Sequence, residues 1–270
     1  GTAIATTIAN AVSAALIYRL LVKETGMLHF DWKKLALNRT YLKRIIAIGG
    51  PAGLQGMIFS VSNIVIQAAI NHFGAACVAG NSAGLNFEYI SYFFVNGFAQ
   101  ATVTFISQNY AAHQYQRCRR IARVAMFSAI LFTTIVSSAF YLFRYPLVDD
   151  IFSTNPAVVH YAIIRITFIA LLEPLTATYE IAGGSLRGIG HSMAPAVITL
   201  VGCCILRVVY ITVMLPHFTS FTQVALIYPV TWIITGTAVM LLYEAVTRKA
   251  YVTENLTVTP NSEMQLMPHH

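Results

Sequence analysis

The sequence predicts an all-α integral membrane protein, and three observations support this fold class. Of its 270 residues, 57% are hydrophobic and only 10% are charged, whereas a typical soluble domain has about 45–50% apolar and about 25% charged residues. The apolar residues form long uninterrupted runs, instead of the short alternating segments of a β-barrel. The basic residues gather in every second connection between these runs, as they do in helical membrane proteins.

Seven runs are long enough for a transmembrane helix, which needs about 20 mostly apolar residues. They lie at about 1–22, 45–71, 78–106, 121–143, 158–182, 193–215 and 223–246. The connection 23–44 contains six Lys or Arg residues, and four Arg residues lie between positions 117 and 123. On the opposite side only Arg144 is found. The positive-inside rule then predicts a cytoplasmic C-terminus and an external first residue, which accounts for the net charge of +7 without a nucleic-acid partner.

The chain begins inside an apolar run, at Gly1, without the basic segment and cleavage site of a secretory signal. The charged, amphipathic connection 23–44 separates this run from the six that follow. We therefore expect one lone helix, a cytoplasmic linker and a six-helix block, with residues 248–270 as a disordered tail. We also expect the chain to be a fragment that lacks an upstream part.

One side of the second run is polar. Small and polar residues recur there at intervals of three or four: Gly56, Ser60, Asn63, Gln67 and Asn71. At 3.6 residues per turn they fall within an arc of about 80°. Such a stripe either packs helices together or lines a cavity, and the residue pattern is compatible with both roles. Asn63 and Gln67 are candidates for the second role.

A carboxylate lies deep in the third run. Glu88 is about ten residues from the outer end, or about 15 Å into the membrane. A charged residue at this depth is costly and faces a bundle interior or a water-filled cavity. Tyr92 and Asn96 follow on the same side of the helix. Glu88 is therefore the best candidate for a proton or ion site, with a structural ion pair as an equal alternative.

The fifth and sixth runs carry further charged residues. Glu173 and Glu180 lie on one side of the fifth run, where we expect Glu180 to contact solvent near the cytoplasmic surface. Pro174 predicts a kink because it has no N–H to donate. Arg207 lies in the sixth run at a depth comparable to that of Glu88, so we hypothesise a Glu88–Arg207 ion pair.

No catalytic motif stands out. The segment 80–84 has the spacing of a serine-hydrolase elbow, but it opens an apolar run rather than following a strand. The sequence contains no HExxH and no phosphate-binding loop. Its four Cys residues lack metal-ligand spacing. We predict a protein that is not an enzyme and has no catalytic residues, no cofactor and no metal site.

Several motifs together resemble the MATE (multidrug and toxic compound extrusion) transporters, in order and over residues 1–247. They are Gly50-Pro51 with Ser60–Asn63 and Ile70–Gly74, then Val78–Asn81, Phe105–Ala112 followed by Arg117–Arg120, and Leu186–Pro195.

The resemblance implies a twelve-helix antiporter of two lobes. Residues 1–22 would be the last helix of an incomplete N-terminal lobe, 23–44 the amphipathic cytoplasmic linker, and 45–247 a six-helix MATE-like C-terminal lobe. It implies export of cationic amphipathic compounds from the cell by alternating access, in exchange for H⁺ or Na⁺, across the inner (plasma) membrane. The expected partners are the lipid bilayer, small cationic organic substrates, and the missing N-terminal lobe or a second copy, but no nucleic acid.

The candidate cavity residues on this reading are Glu88, Asn63, Gln67, Tyr92, Asn96, Glu173, Thr176 and Arg207. One subfamily carries acidic residues where this chain has Ser60 and Thr176, so the coupling ion stays open. Two alternatives remain. A flippase for lipid-linked oligosaccharides, from the same superfamily, would need a more cationic cavity. A seven-helix receptor-like protein fits the number of passes, although the last run has no lysine for a retinal Schiff base.

Overall fold

The computed structural model describes residues 2–24 and 39–262, and all regular secondary structure in these residues is helical. The elements are α1 (Thr2–Lys23), α2 (Arg39–Asn71), α3 (Ala75–Ala111), α4 (Tyr115–Leu142), α5 (Arg144–Ile151), α6 (Pro156–Phe168), a 3-10 segment (Ala170–Leu175), α7 (Thr176–Gly188), α8 (Met193–Leu200), a π-helical segment (Val201–Ile205), α9 (Leu206–Met214), a 3-10 turn (Leu215–His217) and α10 (Phe221–Ser262). The predicted all-α fold class is confirmed.

The chain divides into two compact units, residues 1–53 and 54–270, with the boundary inside α2. The first unit contains α1, whose apolar segment Ile4–Lys23 is long enough to cross a membrane. The linker predicted over 23–44 falls largely on residues 25–38, which lie outside the described residues. Because α2 begins at Arg39, the last part of the expected linker is helical.

The second unit contains four more helical segments that are long and apolar enough to cross a membrane. They are Tyr115–Leu142, Pro156–Gly188, Met193–His217 and Phe221–Arg248. In α2 the apolar segment is shorter, Met57–Asn71. The 37 residues of α3 would span about 55 Å, but polar residues such as Asn81 and Glu88 lower its hydropathy. Among the described residues, five helical segments are thus long and apolar enough to cross a membrane. The full arrangement of seven membrane passes stays a prediction.

The fifth predicted span is broken in its middle. Its two α-helices, α6 and α7, are separated by the 3-10 segment Ala170–Leu175, which contains Pro174. Proline cannot donate a backbone hydrogen bond, so the helix tightens here to the 3-10 pitch. The irregularity predicted at Pro174 is confirmed, and Glu173 lies directly on it.

The sixth predicted span contains an irregularity that the sequence pattern did not indicate. Residues Val201–Ile205 form a π-helical segment between α8 and α9. Gly202 packs so closely on α10 that a Cβ atom there would collide with the Thr235 hydroxyl. Short π-helical segments are frequent at functional sites, and this one lies two residues before Arg207.

The core of the second unit is built around α3, which packs against α4, α6 and α7. Two glycines allow α3 and α6 to approach closely. A Cβ atom on Gly80 would lie 2.7 Å from Tyr161 Cβ, and one on Gly84 would lie 2.9 Å from Arg165 Cβ. Small residues commonly permit such contacts between membrane helices. The close crossing positions Arg165 against the polar side of α3.

The last helix is longer than expected. We placed the start of a disordered tail at residue 248, but α10 continues as a helix to Ser262. Residues 263–270 lie outside the described residues, so the prediction of disorder there stays a prediction.

Candidate functional site

A polar cavity of about 200 Å³ lies inside the second unit. It is lined by Phe59, Glu88, Tyr89, Tyr92, Glu173, Thr176, Tyr179, Glu180, Thr199, Cys203, Arg207 and Trp232. Helices α2, α3, α7, α8, α9 and α10 contribute, together with the 3-10 and π-helical segments. We refer to it as the central cavity of this unit.

Five of the eight predicted site residues line the central cavity: Glu88, Tyr92, Glu173, Thr176 and Arg207. A sixth, Asn96, does not line the cavity but contacts a residue that does: its Nδ2 donates to the Tyr92 hydroxyl over 3.4 Å.

Two predicted residues do not line the cavity. Asn63 and Gln67 are both exposed on α2, and the Gln67 amide donates to Asn71 Oδ1 over 3.0 Å. Their side of α2 is therefore polar, as the spacing predicted, but it is separate from the central cavity of this unit.

Glu88 forms an ion pair with Arg165 across the α3–α6 contact. Arg165 Nη2 lies 2.5 Å from Glu88 Oε2, and the exposed fractions of the two side chains are 3% and 13%. The other terminal nitrogen of Arg165 donates to Asn81 Oδ1 over 2.5 Å. The guanidinium thus bridges two residues of α3, one a carboxylate and one an amide.

The hypothesis of a Glu88–Arg207 ion pair is wrong. Arg207 Nε donates to Thr231 Oγ1 over 2.9 Å, and its guanidinium lies 4.3 Å from the centre of the Tyr228 ring. The physical reason is helix packing: α6 crosses α3 at Gly84, so Arg165 meets Glu88, whereas Arg207 is directed to α10. Comparable depth in the membrane does not make two residues neighbours.

Two oppositely charged groups at the central cavity have incomplete hydrogen bonding. Glu173 accepts from the Thr176 hydroxyl through Oε1 over 3.3 Å, but within the described structure its buried Oε2 has no hydrogen-bond partner, and neither has Arg207 Nη2. Buried polar atoms are normally satisfied by protein, water or ligand. Both residues line the central cavity, although these two atoms are themselves buried.

A second polar cluster lies on the α7 side of the cavity. The Tyr92 hydroxyl donates to Glu180 Oε1 over 3.2 Å, and Arg187 Nη2 lies 3.9 Å from Glu180 Oε2. We expected Glu180 to be solvated near the surface, but its side chain is only 18% exposed. The correction follows from α7 packing on α3, which places Glu180 against Tyr92.

The cavity wall carries more acidic than basic groups. Three carboxylates, from Glu88, Glu173 and Glu180, line it together with one guanidinium, from Arg207. Aromatic rings from Phe59 and Trp232 complete the wall. Glu88 and Glu180 are paired with Arg165 and Arg187, so the lining residues and their partners together carry equal numbers of carboxylates and guanidiniums.

The contribution of α10 was missed from the sequence. Tyr228, Thr231 and Trp232 of α10 hold the Arg207 side chain. Their spacing of three and four residues places them on one helical face, which is the signal that could have found them. In the part of the chain that the structure describes, no group of three or more His, Cys, Asp or Glu side chains is arranged to hold a metal ion.

Comparison with known proteins identifies the family. The model of the MatE family matches residues 51–213. A probable multidrug resistance protein NorM of Thermotoga maritima is 23% identical over 224 residues, which cover 81% of this chain and 47% of that protein. The multidrug export protein MepA of Staphylococcus aureus is 24% identical, covering 78% of this chain and 47% of MepA. An FAD transporter of Shewanella oneidensis is 30% identical over 60% of this chain and 35% of its own length.

Solved structures show the same fold. A crystal structure of MATE in complex with MaL6 has a TM-score of 0.77 at 17% identity and covers 92% of this chain and 56% of its own. The Vibrio cholerae MATE transporter VcmN, in its bent form, has a TM-score of 0.73 at 20% identity, covering 93% of this chain and 56% of its own. The chain spans about half the length of these proteins and half or less of the curated relatives. The family match covers more than half of the chain, and the chain therefore belongs to the MATE family of multi-pass membrane transporters.

Proposed function

We propose that this chain is the C-terminal half of a secondary active antiporter that exports cationic amphipathic compounds in exchange for H⁺ or Na⁺ by alternating access. Residues 1–22 would belong to an N-terminal lobe, and 23–44 would form the cytoplasmic linker before the C-terminal lobe. We place the protein in the plasma membrane with its C-terminus in the cytoplasm. The names of the relatives NorM and MepA support multidrug export.

The observation that carries the proposal is the Glu88–Arg165 ion pair at the wall of the central cavity. A carboxylate held by a guanidinium in a low-dielectric site exists in two states, paired or neutralised by a bound cation. Protonation of Glu88, or Na⁺ binding to it, would weaken its attraction to Arg165 and free this guanidinium from α3. An ion gradient would thereby act on the contact between α3 and α6.

The same cavity would bind part of a cationic substrate. Glu173 Oε2 offers an unpartnered acceptor, and the rings of Tyr89 and Trp232 offer aromatic faces. The volume of about 200 Å³ is below the roughly 300–1,000 Å³ of a site that encloses a drug-sized ligand. The remainder of the binding site would come from the N-terminal lobe or from a second copy.

Asn63 and Gln67 fit this arrangement as residues outside the central cavity. Their exposed side of α2 would face the space shared with the other lobe, where amide groups contact substrate or water. We propose no enzymatic activity, no organic cofactor and no nucleic-acid partner. The partners of the site are the substrate, the coupling ion and the lipid bilayer.

The flippase alternative has less support. It calls for an excess of cationic groups in the cavity, whereas the lining contains three carboxylates and one Arg. With their partners counted, the three carboxylates are matched by three guanidiniums, from Arg165, Arg187 and Arg207, so the cavity has no such excess. The receptor alternative has no support from the relatives, which are named as a probable multidrug resistance protein, an FAD transporter and a multidrug export protein.

The test is ion-driven efflux in everted membrane vesicles that contain the protein as the cell makes it. We expect Glu88→Gln to abolish efflux of a cationic dye under an imposed pH or sodium gradient. Glu244→Gln is the matched control, because Glu244 is a half-exposed carboxylate paired with Arg248 on the surface of α10. Gradient-driven efflux at the wild-type rate in Glu88→Gln would refute the proposed role of Glu88.

A further inference from the structure

A large basic groove lies between the C-terminal half of α3 and the N-terminal half of α4, apart from the central cavity. Its volume is about 1250 Å³, and its walls carry Arg117, Arg119, Arg120 and Arg123 together with Phe98 and Phe105. A smaller neighbouring cavity of about 380 Å³ is formed by Arg120, Arg123, Val124 and Phe127. We call these two together the basic groove.

The two helix segments that form the basic groove supply no acidic residue to it. Between Glu88 and Asp149 the sequence contains no Asp or Glu. Arg120 and Arg123 are exposed, and neither takes part in the ion pairs found among the described residues. Arg117 donates to Gln114 Oε1 over 3.1 Å, which holds its guanidinium at the groove. Such a cluster attracts an anion.

The same groove has an apolar side. Phe105, Val124 and Phe127 are 54%, 57% and 69% exposed. Val124 and Phe127 lie on α4 away from its buried residues, and Phe105 is exposed on α3, so all three side chains are directed away from the core. The basic residues lie near the start of α4, and α4 is apolar enough to cross the membrane. The arginines are therefore at the membrane–water boundary, with the apolar side extending into the hydrocarbon region.

We propose that the basic groove binds an anionic phospholipid. Its phosphate would lie at Arg120 and Arg123, and an acyl chain would lie along Phe105, Val124 and Phe127. Free inorganic phosphate would use only the arginines, whereas a phospholipid uses both sides of the groove. By the positive-inside rule this end of α4 is cytoplasmic, and basic pockets between helices on that side suit anionic head groups.

The experiment compares lipid binding by native mass spectrometry of the chain in detergent. The probes are phosphatidylglycerol and phosphatidylcholine with the same acyl chains. We expect Arg120→Gln combined with Arg123→Gln to bind phosphatidylglycerol about 30-fold more weakly than the wild type. Binding of phosphatidylcholine should stay unchanged. Arg39→Gln with Lys43→Gln removes two exposed charges at the start of α2, and phosphatidylglycerol binding should then stay within about threefold.

Four outcomes would overturn the proposal. The variant Arg120→Gln with Arg123→Gln could bind phosphatidylglycerol as tightly as the wild type does. The control Arg39→Gln with Lys43→Gln could lose as much binding as that variant, which would indicate an effect of diffuse surface charge. Millimolar inorganic phosphate could also displace the lipid completely, which would indicate a phosphate site. Phe127→Ala keeps both arginines and alters an exposed side chain. It should weaken phosphatidylglycerol binding without changing the circular dichroism of the protein, and unchanged binding would again contradict the proposal.

Discussion

Arg165 on α6 and Glu88 on α3 form a nearly buried ion pair, with 2.5 Å between Arg165 Nη2 and Glu88 Oε2. The pair exists because Gly84 lets α6 approach α3: a Cβ atom at this position would lie 2.9 Å from Arg165 Cβ. The same guanidinium binds Asn81 Oδ1. One close helix crossing therefore fixes the position of the carboxylate that we propose as the coupling site.

The energetic value of this pair is measurable with a double-mutant cycle. Removing one partner leaves the other charge buried and unpaired, so Glu88→Gln and Arg165→Gln should each destabilise the fold by about 3–5 kcal/mol. The double variant should cost clearly less than the sum of the two, because no charge is left unpaired. Unfolding by denaturant in detergent micelles gives the free energies.

The control for this cycle pairs Glu88→Gln with Arg207→Gln. Arg207 is held by Thr231 and Tyr228 instead of by Glu88, so its coupling to Glu88 should be much smaller than that of Arg165. A larger coupling for Arg207 would mean that the ion pair is assigned to the wrong arginine.

The close contact between α3 and α6 predicts a strong effect of a small substitution. In Gly80→Ala the new methyl group would collide with the Val158 carbonyl and lie 2.7 Å from Tyr161 Cβ. Overpacking of this kind costs about 1–3 kcal/mol. Gly97→Ala is the matched control on the same helix, because no atom lies within 4 Å of its added Cβ, and it should leave stability unchanged or raise it by up to about 1 kcal/mol. Thermal unfolding in detergent distinguishes the two, and equal melting temperatures would contradict this packing.

Substrate binding should be visible through Trp232. The sequence contains two Trp residues, Trp32 and Trp232, and Trp232 lines the central cavity. In a Trp32→Phe background we expect a cationic dye to quench the remaining fluorescence, with a loss of affinity of about tenfold on Glu173→Gln, as expected for one charge contact. In the single variant Trp232→Phe, which keeps Trp32, equally strong quenching would place the dye away from this cavity.

The rates at which the cysteine thiols are modified report how accessible the cavity is. Cys203 lines it and is 5% exposed, whereas Cys77, Cys118 and Cys204 are 0%, 0% and 1% exposed. A small charged thiol reagent should therefore modify Cys203 before the other three, and a bound cationic substrate should slow the reaction. Peptide mass spectrometry after timed labelling identifies the modified residue. Faster labelling of Cys77 would show that the core opens more readily than the cavity.

Several features of the site were predictable because they follow from local chemistry. Pro174 has no N–H, so a break in the fifth span is expected from the residue alone, and the 3-10 segment is found there. Glu88 deep in an apolar run requires a polar environment, and it lies on the central cavity. Both predictions depend on the covalent structure of one residue and its depth in the membrane.

Other features depend on contacts between helices. The partner of Glu88 was wrongly predicted as Arg207 instead of Arg165, because depth along a helix says nothing about which helix is the neighbour. The environment of Glu180 was misjudged for the same reason, since it is set by the packing of α7 on α3. The π-helical segment before Arg207 also went unpredicted, because its residues are equally suited to an ordinary α-helix.

The sequence by itself determined the class of the protein, its apolar spans, the polar residues inside them and the family to which it belongs. The family follows from the resemblance of several motifs to those of MATE transporters. The other features follow from composition, from the length of an apolar run and from the cost of charge in lipid, all of which are local quantities. Only the tertiary structure decided that Arg165 pairs with Glu88, that Asn63 and Gln67 lie outside the central cavity, and that α10 holds Arg207. Those outcomes depend on where glycines and other small residues let two helices approach each other. Such an approach depends on both helices, so it does not follow from the sequence of either helix alone.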